Sequence, residues 1–189
     1  VDIGGGTTDI AVISLGGVVI RESIKVAGDK FDEAIIRYVR NRYKILIGEK
    51  TAEDLKVTIG SVFKGSRNLT TTMKGRNLIT GLPDEIVIST EELREALMEP
   101  VSLIVDSVKS VLEKTPPELA ADIIEKGILM TGGGALIDGL DKLIEENTGI
   151  TVKIAEDSVE AVAIGTGEVL SYVNKLDNDF SSREIQLIN

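Results

Sequence analysis

The sequence predicts an α/β protein in which a mixed sheet is flanked by helices and carries a small α+β insert. Three observations lead to this fold class. Strand-like segments come first along the chain, and a helix–strand–helix–strand–helix order follows. Two glycine triplets each follow a short apolar run, as expected where a buried strand ends in a ligand-facing loop. Residues 64–89 are rich in Thr, Asn and Gly, which indicates an insert of different architecture.

The N-terminal part of the chain alternates between short strands and amphipathic helices. Residues 1–3 and 9–26 predict a three-stranded meander with a hairpin turn at Gly16 and Gly17. Asp29 is predicted to cap a helix that ends at Gly48. A second helix is predicted to begin at Thr51, and short strands on either side of residues 81–84 complete the insert.

Helices dominate the rest of the sequence. Thr90 is predicted to cap a helix that Pro100 kinks or divides. A short helix before residue 127, a strand, the second triplet, a helix closed by Gly149 and a strand over 150–154 follow. The last predicted helix runs from 158 to about 175, and its Gly165 and Gly167 are expected to pack closely against a strand. A loose polar tail follows.

Composition excludes several classes of function. The 189 residues carry a net charge of −10 at a pI near 4.6, so the chain repels polyanions and nucleic acid is not an expected partner. Without cysteine or histidine there is no disulfide, no thiolate or imidazole zinc site and no histidine-dependent triad. A metal ion would be a hard cation with oxygen ligands, magnesium above all. No membrane span or signal peptide is visible, and a cytoplasmic protein is expected.

The first glycine triplet has the composition of a phosphate-binding loop. Gly4, Gly5 and Gly6 offer backbone amides that no Cβ shields. Asp2 lies just before them, where a carboxylate can hold a water of a magnesium–phosphate complex, and Thr7 and Thr8 add hydroxyls that could orient an attacking water. A tight strand turn that only needs positive φ is the alternative. The segment matches neither a Walker loop nor a dinucleotide fingerprint.

The second triplet and three further residues are weaker candidates when taken alone. Gly132, Gly133 and Gly134 join a buried strand to a helix, so their amides face whatever lies above the sheet. Glu53 and Lys56 share a helix face, where they could bind a ribose or a base edge, although a solvated ion pair is the more economical explanation. Gly28, with Asp29, could approach a ribose or simply begin a helix.

Four long runs carry a resemblance to a known family. They are residues 2–16 (DIGGGTTDIAVISLG), 27–34 (AGDKFDEA), 47–56 (IGEKTAEDLK) and the stretch from 113–119 (EKTPPEL) through 130–137 (MTGGGALI). These runs resemble the bacterial actin homologues MreB and Mbl. The likeness extends over roughly residues 1 to 175.

The resemblance implies an actin-like ATPase fold, related to ribonuclease H, with ATP and Mg²⁺ in a cleft between two lobes. It implies that Asp2 contacts a metal-bound water, that Thr7 lies near the hydrolytic water and that residues 2–8 form the second phosphate loop. It also implies that Glu53 and Lys56 lie beside the ribose and adenine, which reverses the ion-pair preference, and that residues 132–134 form the adenosine-binding loop.

The same resemblance implies a domain organisation and a set of partners. Residues 1–50 and 100–176 would form the large part of the second lobe, residues 51–99 its small inserted subdomain and 177–189 a polar tail. The first lobe would be missing, so ATP hydrolysis is expected of the complete two-lobed protein and not of this chain alone. The complete protein would polymerise into membrane-associated filaments with membrane-bound adaptors of cell-wall elongation and so direct cell shape.

Two alternatives remain open from the residues. A lobe of another actin-superfamily ATPase, such as a sugar kinase or a chaperone, would need a substrate carboxylate at the cleft or a following peptide-binding domain. A pure interaction module would use the fold without nucleotide, but it would have no need of two amide-lined glycine loops.

Overall fold

The first three strands form an antiparallel meander, as predicted. A computed structural model describes residues 1–170 of the protein. Strands β1 (Asp2–Ile3), β2 (Thr8–Ser14) and β3 (Gly17–Ile24) pair in the order β1–β2–β3. The turn between β2 and β3 uses Leu15 (φ 51°) and Gly16 (φ 78°), and two successive left-handed residues match the twist of a tight hairpin.

Helix α1 (Gly28–Tyr43) begins without the side-chain cap that the sequence predicts at Asp29. The N-cap residue is Ala27, which makes no such bond. The amides of Gly28 and Asp29 instead donate to the carbonyls of Gly4 at 3.1 Å and Gly5 at 2.8 Å. The first glycine loop therefore satisfies two of the amides that a helix start leaves unpaired, and no capping side chain is needed for them.

The insert has its own small sheet. It comprises β4 (Ile45–Leu46), α2 (Glu49–Ile59), β5 (Thr70–Asn77) and β6 (Pro83–Ser89), with the strands antiparallel in the order β4–β5–β6. The prediction that the first helix extends to Gly48 is wrong. Helix α1 ends at Tyr43, and its C-cap Lys44 is in the left-handed conformation. The helix cannot continue because residues 45 and 46 pair with residues 77 and 76 of β5.

Helix α3 (Thr90–Lys114) is continuous, so the predicted division at Pro100 does not occur. Its N-cap is Ser89, one residue before the predicted Thr90, and Ser89 forms a reciprocal capping box with Glu92. The Thr90 hydroxyl bonds the backbone of Leu69 instead. Leu93, Leu97, Val101, Ile104, Val105, Val108 and Val111 are buried along one side of α3. Helix α3 contacts α1, β2 and β3, and these buried side chains are part of the hydrophobic core.

The remaining described elements are short. They are α4 (Pro117–Lys126), β7 (Ile128–Met130), a 3₁₀ helix (Gly133–Leu136), α5 (Leu140–Thr148) and β8 (Val152–Ile154). The single helix predicted after the second triplet is thus two segments, separated by Gly139 at φ 81°. The last predicted helix begins three residues later than predicted, because residues 158–160 form a turn and residues 161–170 are helical. Residues 171–175 of that predicted helix and the predicted tail lie outside the described residues.

The predicted close packing of Gly165 and Gly167 is wrong for the described residues. A Cβ built at either glycine would meet no atom within 4 Å. Most side chains of residues 161–170 are exposed, so no neighbour in the described part of the fold requires a glycine at these two positions.

One parallel bridge joins the two groups of strands into a mixed sheet. Asp2 of β1 pairs with Thr131, directly after β7, and β7 pairs in parallel with β8. The resulting order is β3–β2–β1–β7–β8, which confirms the predicted mixed direction. The boundaries predicted at residues 50 and 100 remain predictions. No helix in residues 1–170 combines the length and the apolarity that crossing a bilayer requires.

Glu22 of β3 connects the main sheet to α3 through side-chain hydrogen bonds. Its carboxylate accepts hydrogen bonds from Lys114 and Ser107, both at 2.9 Å, and these bonds lower the pKa of Glu22 below its usual value. A lowered pKa means that the ionised carboxylate stabilises the fold above its unfolded pKa and that this contribution is lost as pH falls through the folded pKa.

We therefore expect Glu22→Gln to lower the free energy of unfolding at neutral pH and to have a smaller effect at about pH 3, because the stabilisation is lost as pH falls through the lowered folded pKa. Urea unfolding of both proteins at the two pH values measures this difference. Glu113→Gln, a change near the same end of α3, is the control and should not alter the pH dependence. An equal loss for Glu22→Gln at both pH values would contradict the role of the charge.

Candidate functional site

Residues of both glycine triplets line one cleft. The cavity measures about 1280 Å³, and Gly4, Gly5, Gly132, Gly133 and Gly134 are on its wall. Their loops follow β1 and β7, which are neighbours in the sheet. The strand order therefore brings together two loops that are far apart in the sequence.

The first loop is fixed by hydrogen bonds to the start of α1, and Gly5 and Gly6 are exposed. The Gly4 amide donates to the Thr7 carbonyl at 3.0 Å, and the carbonyls of Gly4 and Gly5 accept from the start of α1. Within the described residues, the amides of Gly5 and Gly6 donate to no protein acceptor. A fixed loop with unpaired, exposed amides is suited to an anion, and the N-terminus of α1 behind it adds a favourable dipole.

The two threonines of the first loop have different surroundings. Thr7 is exposed, and its hydroxyl donates to Asp9 at 3.1 Å. Thr8 is fully buried, and its hydroxyl donates to the carbonyl of Val26 at 2.7 Å. The expectation that the Thr8 hydroxyl faces a ligand is therefore corrected, because this side chain belongs to the core. Neither threonine, nor Gly6, is among the residues that line the cleft.

The second loop owes two of its glycines to the close approach of β1. A Cβ on Gly132, at φ 86°, would lie 2.3 Å from the Ile3 carbonyl oxygen, and one on Gly134 would lie 2.4 Å from Ile3 Cγ2. Gly133 is exposed and would meet nothing within 4 Å. In the described part of the fold, the amides of Gly133 and Gly134 have no protein acceptor. This loop thus also presents free donors to the cleft.

Asp2 connects the two loops. Its carboxylate accepts a hydrogen bond from the Thr131 hydroxyl at 3.0 Å, and the bond is partly buried. Asp2 lines the cleft beside both triplets. The acidic residue selected from the sequence as a metal contact is therefore fixed at the junction of β1 and the second loop.

On α2, Lys56 has a partner that the sequence did not indicate. Its ammonium group donates to Asp32 Oδ2 at 3.0 Å and lies 2.9 Å from Oδ1, and each side chain is 15% exposed. It also reaches the carbonyl of Gly28 at 3.5 Å. Glu53 is exposed at the cleft wall. Lys56 thus joins α2 to α1 and also lines the cleft. Its partner is Asp32, and not Glu53, with which the sequence suggested a solvated ion pair.

Asp32 illustrates the electrostatics of this wall. Burial raises its pKa above the usual value, the contacts with Lys56 oppose that effect, and the charges of Glu53 and Asp29 add to the rise. Most ionisable side chains on the cleft wall are acidic: Asp2, Asp29, Asp32, Glu33, Glu49, Glu53, Asp54 and Asp138, against Lys50, Lys56 and Arg67. A polyphosphate would be repelled by this wall unless a cation came with it.

A magnesium ion fits this site only as a phosphate-bound ion. Among the described residues, no three acidic side chains are grouped so that they could hold a metal by themselves. Asp2 could contact a water of an ion whose other ligands are phosphate and water oxygens, which is the usual way in which proteins bind Mg²⁺ with nucleotides.

Sequence reasoning missed several residues of the site. Gly28 lies at the cleft, and the carboxylate of Asp29, which the sequence suggested as a ribose contact or a helix cap, lies near the first loop, within 4 Å of Cβ positions built on Gly5 and Gly6. Arg67 lies 4.0 Å from Asp138 and donates to the carbonyls of Thr58 and Gly60. These contacts follow no recognisable motif, so only the folded structure reveals them.

The Lys56–Asp32 pair yields a stability prediction. Replacing Lys56 by Met leaves the Asp32 carboxylate largely buried and unpaired, so we expect a loss of about 1–3 kcal/mol in the free energy of unfolding at neutral pH. Urea unfolding measures it. Lys50→Met, an exposed change in the same helix, should stay within about 0.5 kcal/mol of the wild type. Equal stabilities of the two variants would show that the ion pair is not coupled to folding.

Comparison with known proteins gives consistent results. A model of the MreB/Mbl protein family matches residues 1–178. The cell shape-determining protein Mbl of Bacillus subtilis is 52% identical over 176 residues, which are 93% of this chain and 53% of that protein. The cell shape-determining protein MreB of Escherichia coli K12 is 50% identical over 184 residues, 97% of this chain and 53% of that protein. The chain thus spans about half the length of these curated relatives.

Solved structures agree on the fold. The crystal structure of MreB5 of Spiroplasma citri bound to AMPPNP aligns with a TM-score of 0.90 at 47% identity, covering 94% of this chain and 54% of that one. MreB5 has also been solved with ADP. MamK bound to AMPPNP aligns with a TM-score of 0.71 over 85% of this chain and 50% of its own, at 23% identity, which supports the fold alone.

These alignments confirm the predicted actin-like fold class. They also remove the sugar-kinase and chaperone alternatives, since the match to one family extends over nearly the whole chain. The chain belongs to the MreB/Mbl family of bacterial actin-like cytoskeletal proteins.

Proposed function

We propose that this chain is the second lobe of a cell-shape-determining filament protein and forms one wall of its ATP–Mg²⁺ site. The observation that carries the proposal is the convergence of two glycine loops, each with unpaired amides, on one cleft. The AMPPNP and ADP bound to MreB5 of Spiroplasma citri support the same ligand class here. A pure interaction module would gain nothing from such free donors.

Each part of the cleft has a proposed role. The amides of residues 5–6 and 133–134 bind phosphate oxygens, and each charge-assisted bond contributes about 1.5–3 kcal/mol. The Gly4 amide, which the sequence also suggested as a donor, is already paired with the Thr7 carbonyl. Asp2 would hold a water of the metal ion. That ion, when bound, would neutralise part of the phosphate charge. Thr7 lies at the edge of the loop, where its exposed hydroxyl can orient a water. The acidic wall disfavours nucleotide without metal.

Glu53 and Lys56 are proposed to contact the nucleoside, and Gly28 is proposed to lie beneath it. Glu53 is free to bond a ribose hydroxyl, because its side chain is exposed at the cleft. Lys56 reaches the same region while Asp32 fixes its ammonium group. Gly28 is buried against the first loop, and its amide donates to the Gly4 carbonyl, so its proposed role is to support this loop beneath the ligand.

Hydrolysis and assembly belong to the complete protein in this proposal. Phosphoryl transfer needs charge stabilisation and water positioning from several sides, and this chain supplies one side. We infer that the complete protein hydrolyses ATP slowly, assembles into filaments in the cytoplasm and is held at the membrane with cell-wall elongation adaptors. This chain alone is inferred to be inactive.

Nucleotide binding by the chain is the first test. We expect Mg–ADP to shift the glycine amide signals of residues 4–6 and 132–134 in ¹⁵N-labelled protein, with an affinity weaker than micromolar because this chain is proposed to form one wall of the site. A Kd of about 1 μM or less would correspond to about 8 kcal/mol of binding free energy and would mean that the site is self-contained. Shifts confined to other residues would contradict the proposed site.

Asp2 is tested by separating metal-dependent from metal-independent binding. We expect Asp2→Asn to reduce the gain in ADP affinity that Mg²⁺ gives over EDTA, because the neutral amide attracts a metal-bound water less strongly. The same titration measures it. Asp106→Asn, an exposed change on α3, is the control and should retain the full gain. An undiminished gain in Asp2→Asn would remove Asp2 from the metal site.

A further inference from the structure

Thr131 has a well-defined position relative to Asp2. Its amide donates to the carbonyl of Val1 and its carbonyl accepts from the amide of Ile3, both at 2.8 Å. Asp2 lies between these two bonds and is the bridge partner of Thr131. Two backbone bonds therefore fix the direction in which the Thr131 side chain leaves the chain, before its hydroxyl makes any contact.

The hydroxyl of Thr131 then fixes one oxygen of the Asp2 carboxylate. It donates to Oδ1 at 3.0 Å. The same oxygen is confined by Gly132, where a built Cβ would lie only 2.7 Å away. Within the described residues, Oδ2 of Asp2 accepts no hydrogen bond from the protein. One oxygen is thus occupied, the other has no partner in the described part of the fold, and Asp2 lines the cleft that both loops form.

We propose that Thr131 is a positioning residue for the Asp2 carboxylate and thereby sets the metal-dependent part of nucleotide binding. This inference rests on the proposed function, since it assumes that Asp2 faces a phosphate-bound cation. Without the hydroxyl, the side chain of Asp2 can rotate among several rotamers, and only a fraction of them keep Oδ2 in place. Preorganisation of this kind increases affinity by reducing the ordering that binding requires.

A purely structural role for Thr131 makes a different prediction. Its backbone bonds join β1 to the second loop whatever the side chain is, so a structural hydroxyl would affect stability and all nucleotide binding together. A positioning hydroxyl would affect binding with metal and leave metal-free binding unchanged. The ratio of the ADP Kd in EDTA to the Kd in Mg²⁺ separates the two roles.

The experiment titrates ADP into the ¹⁵N-labelled chain, with Mg²⁺ and with EDTA, for the wild type, Thr131→Val and Thr131→Ser. Valine has the shape of threonine without the hydroxyl, and serine retains the hydroxyl. We expect the Kd ratio to fall at least about threefold in Thr131→Val, while its Kd in EDTA stays within about twofold of the wild type, and we expect Thr131→Ser to keep the wild-type ratio.

The outcomes are distinct. A wild-type ratio in Thr131→Val, or a loss in Thr131→Ser equal to that in Thr131→Val, overturns the positioning role and leaves the proposed function intact. A wild-type protein that gains nothing from Mg²⁺ overturns the metal role of Asp2 and this inference with it. Thermal unfolding reports whether each variant is folded. If Thr131→Val does not fold, Thr131→Ala removes the same hydroxyl and replaces it in the comparison. The difference in Kd ratio between Thr131→Ala and Thr131→Ser then tests the role of the hydroxyl.

Discussion

The pairing of β1 with the segment around Thr131 is the constraint on which the site depends. Two backbone hydrogen bonds of 2.8 Å join segments that are far apart in the sequence. They unite an antiparallel meander with a parallel pair into one sheet. Because both glycine loops leave this sheet from adjacent strands, the bonds that complete the fold also form the cleft.

The close approach of these strands explains more of the glycine pattern than ligand binding does. Gly132 and Gly134 are required because Ile3 leaves no room for a Cβ, whereas Gly133 meets no such neighbour. In the first loop, the carbonyls of Gly4 and Gly5 accept bonds from α1 and the Gly4 amide is paired with Thr7, so the amides of Gly5 and Gly6 remain unpaired in the described part of the fold. Backbone packing thus decides which polar groups are left for a ligand.

The insert is attached to the site by side chains on both sides of the cleft. Lys56 of α2 is paired with Asp32 of α1, and Arg67 reaches towards Asp138, which follows the second loop. The amide of Val62 also donates to the Asp138 carbonyl at 2.9 Å. These contacts couple the position of the insert to both glycine loops. The acidic surroundings mean that a cation must accompany any phosphate.

Local signals were sufficient to predict the mixed α/β class, the hairpins, the amphipathic helices and the two glycine loops, because apolar periodicity and glycine triplets are read within one segment. Long-range packing settled that α1 begins without a side-chain cap, that Thr8 is buried, that Lys56 pairs with Asp32 and that Thr131 holds Asp2. Each of these depends on a partner elsewhere in the chain. A local pattern reports what a backbone segment or a helix face requires, but it does not specify which distant group will satisfy that requirement.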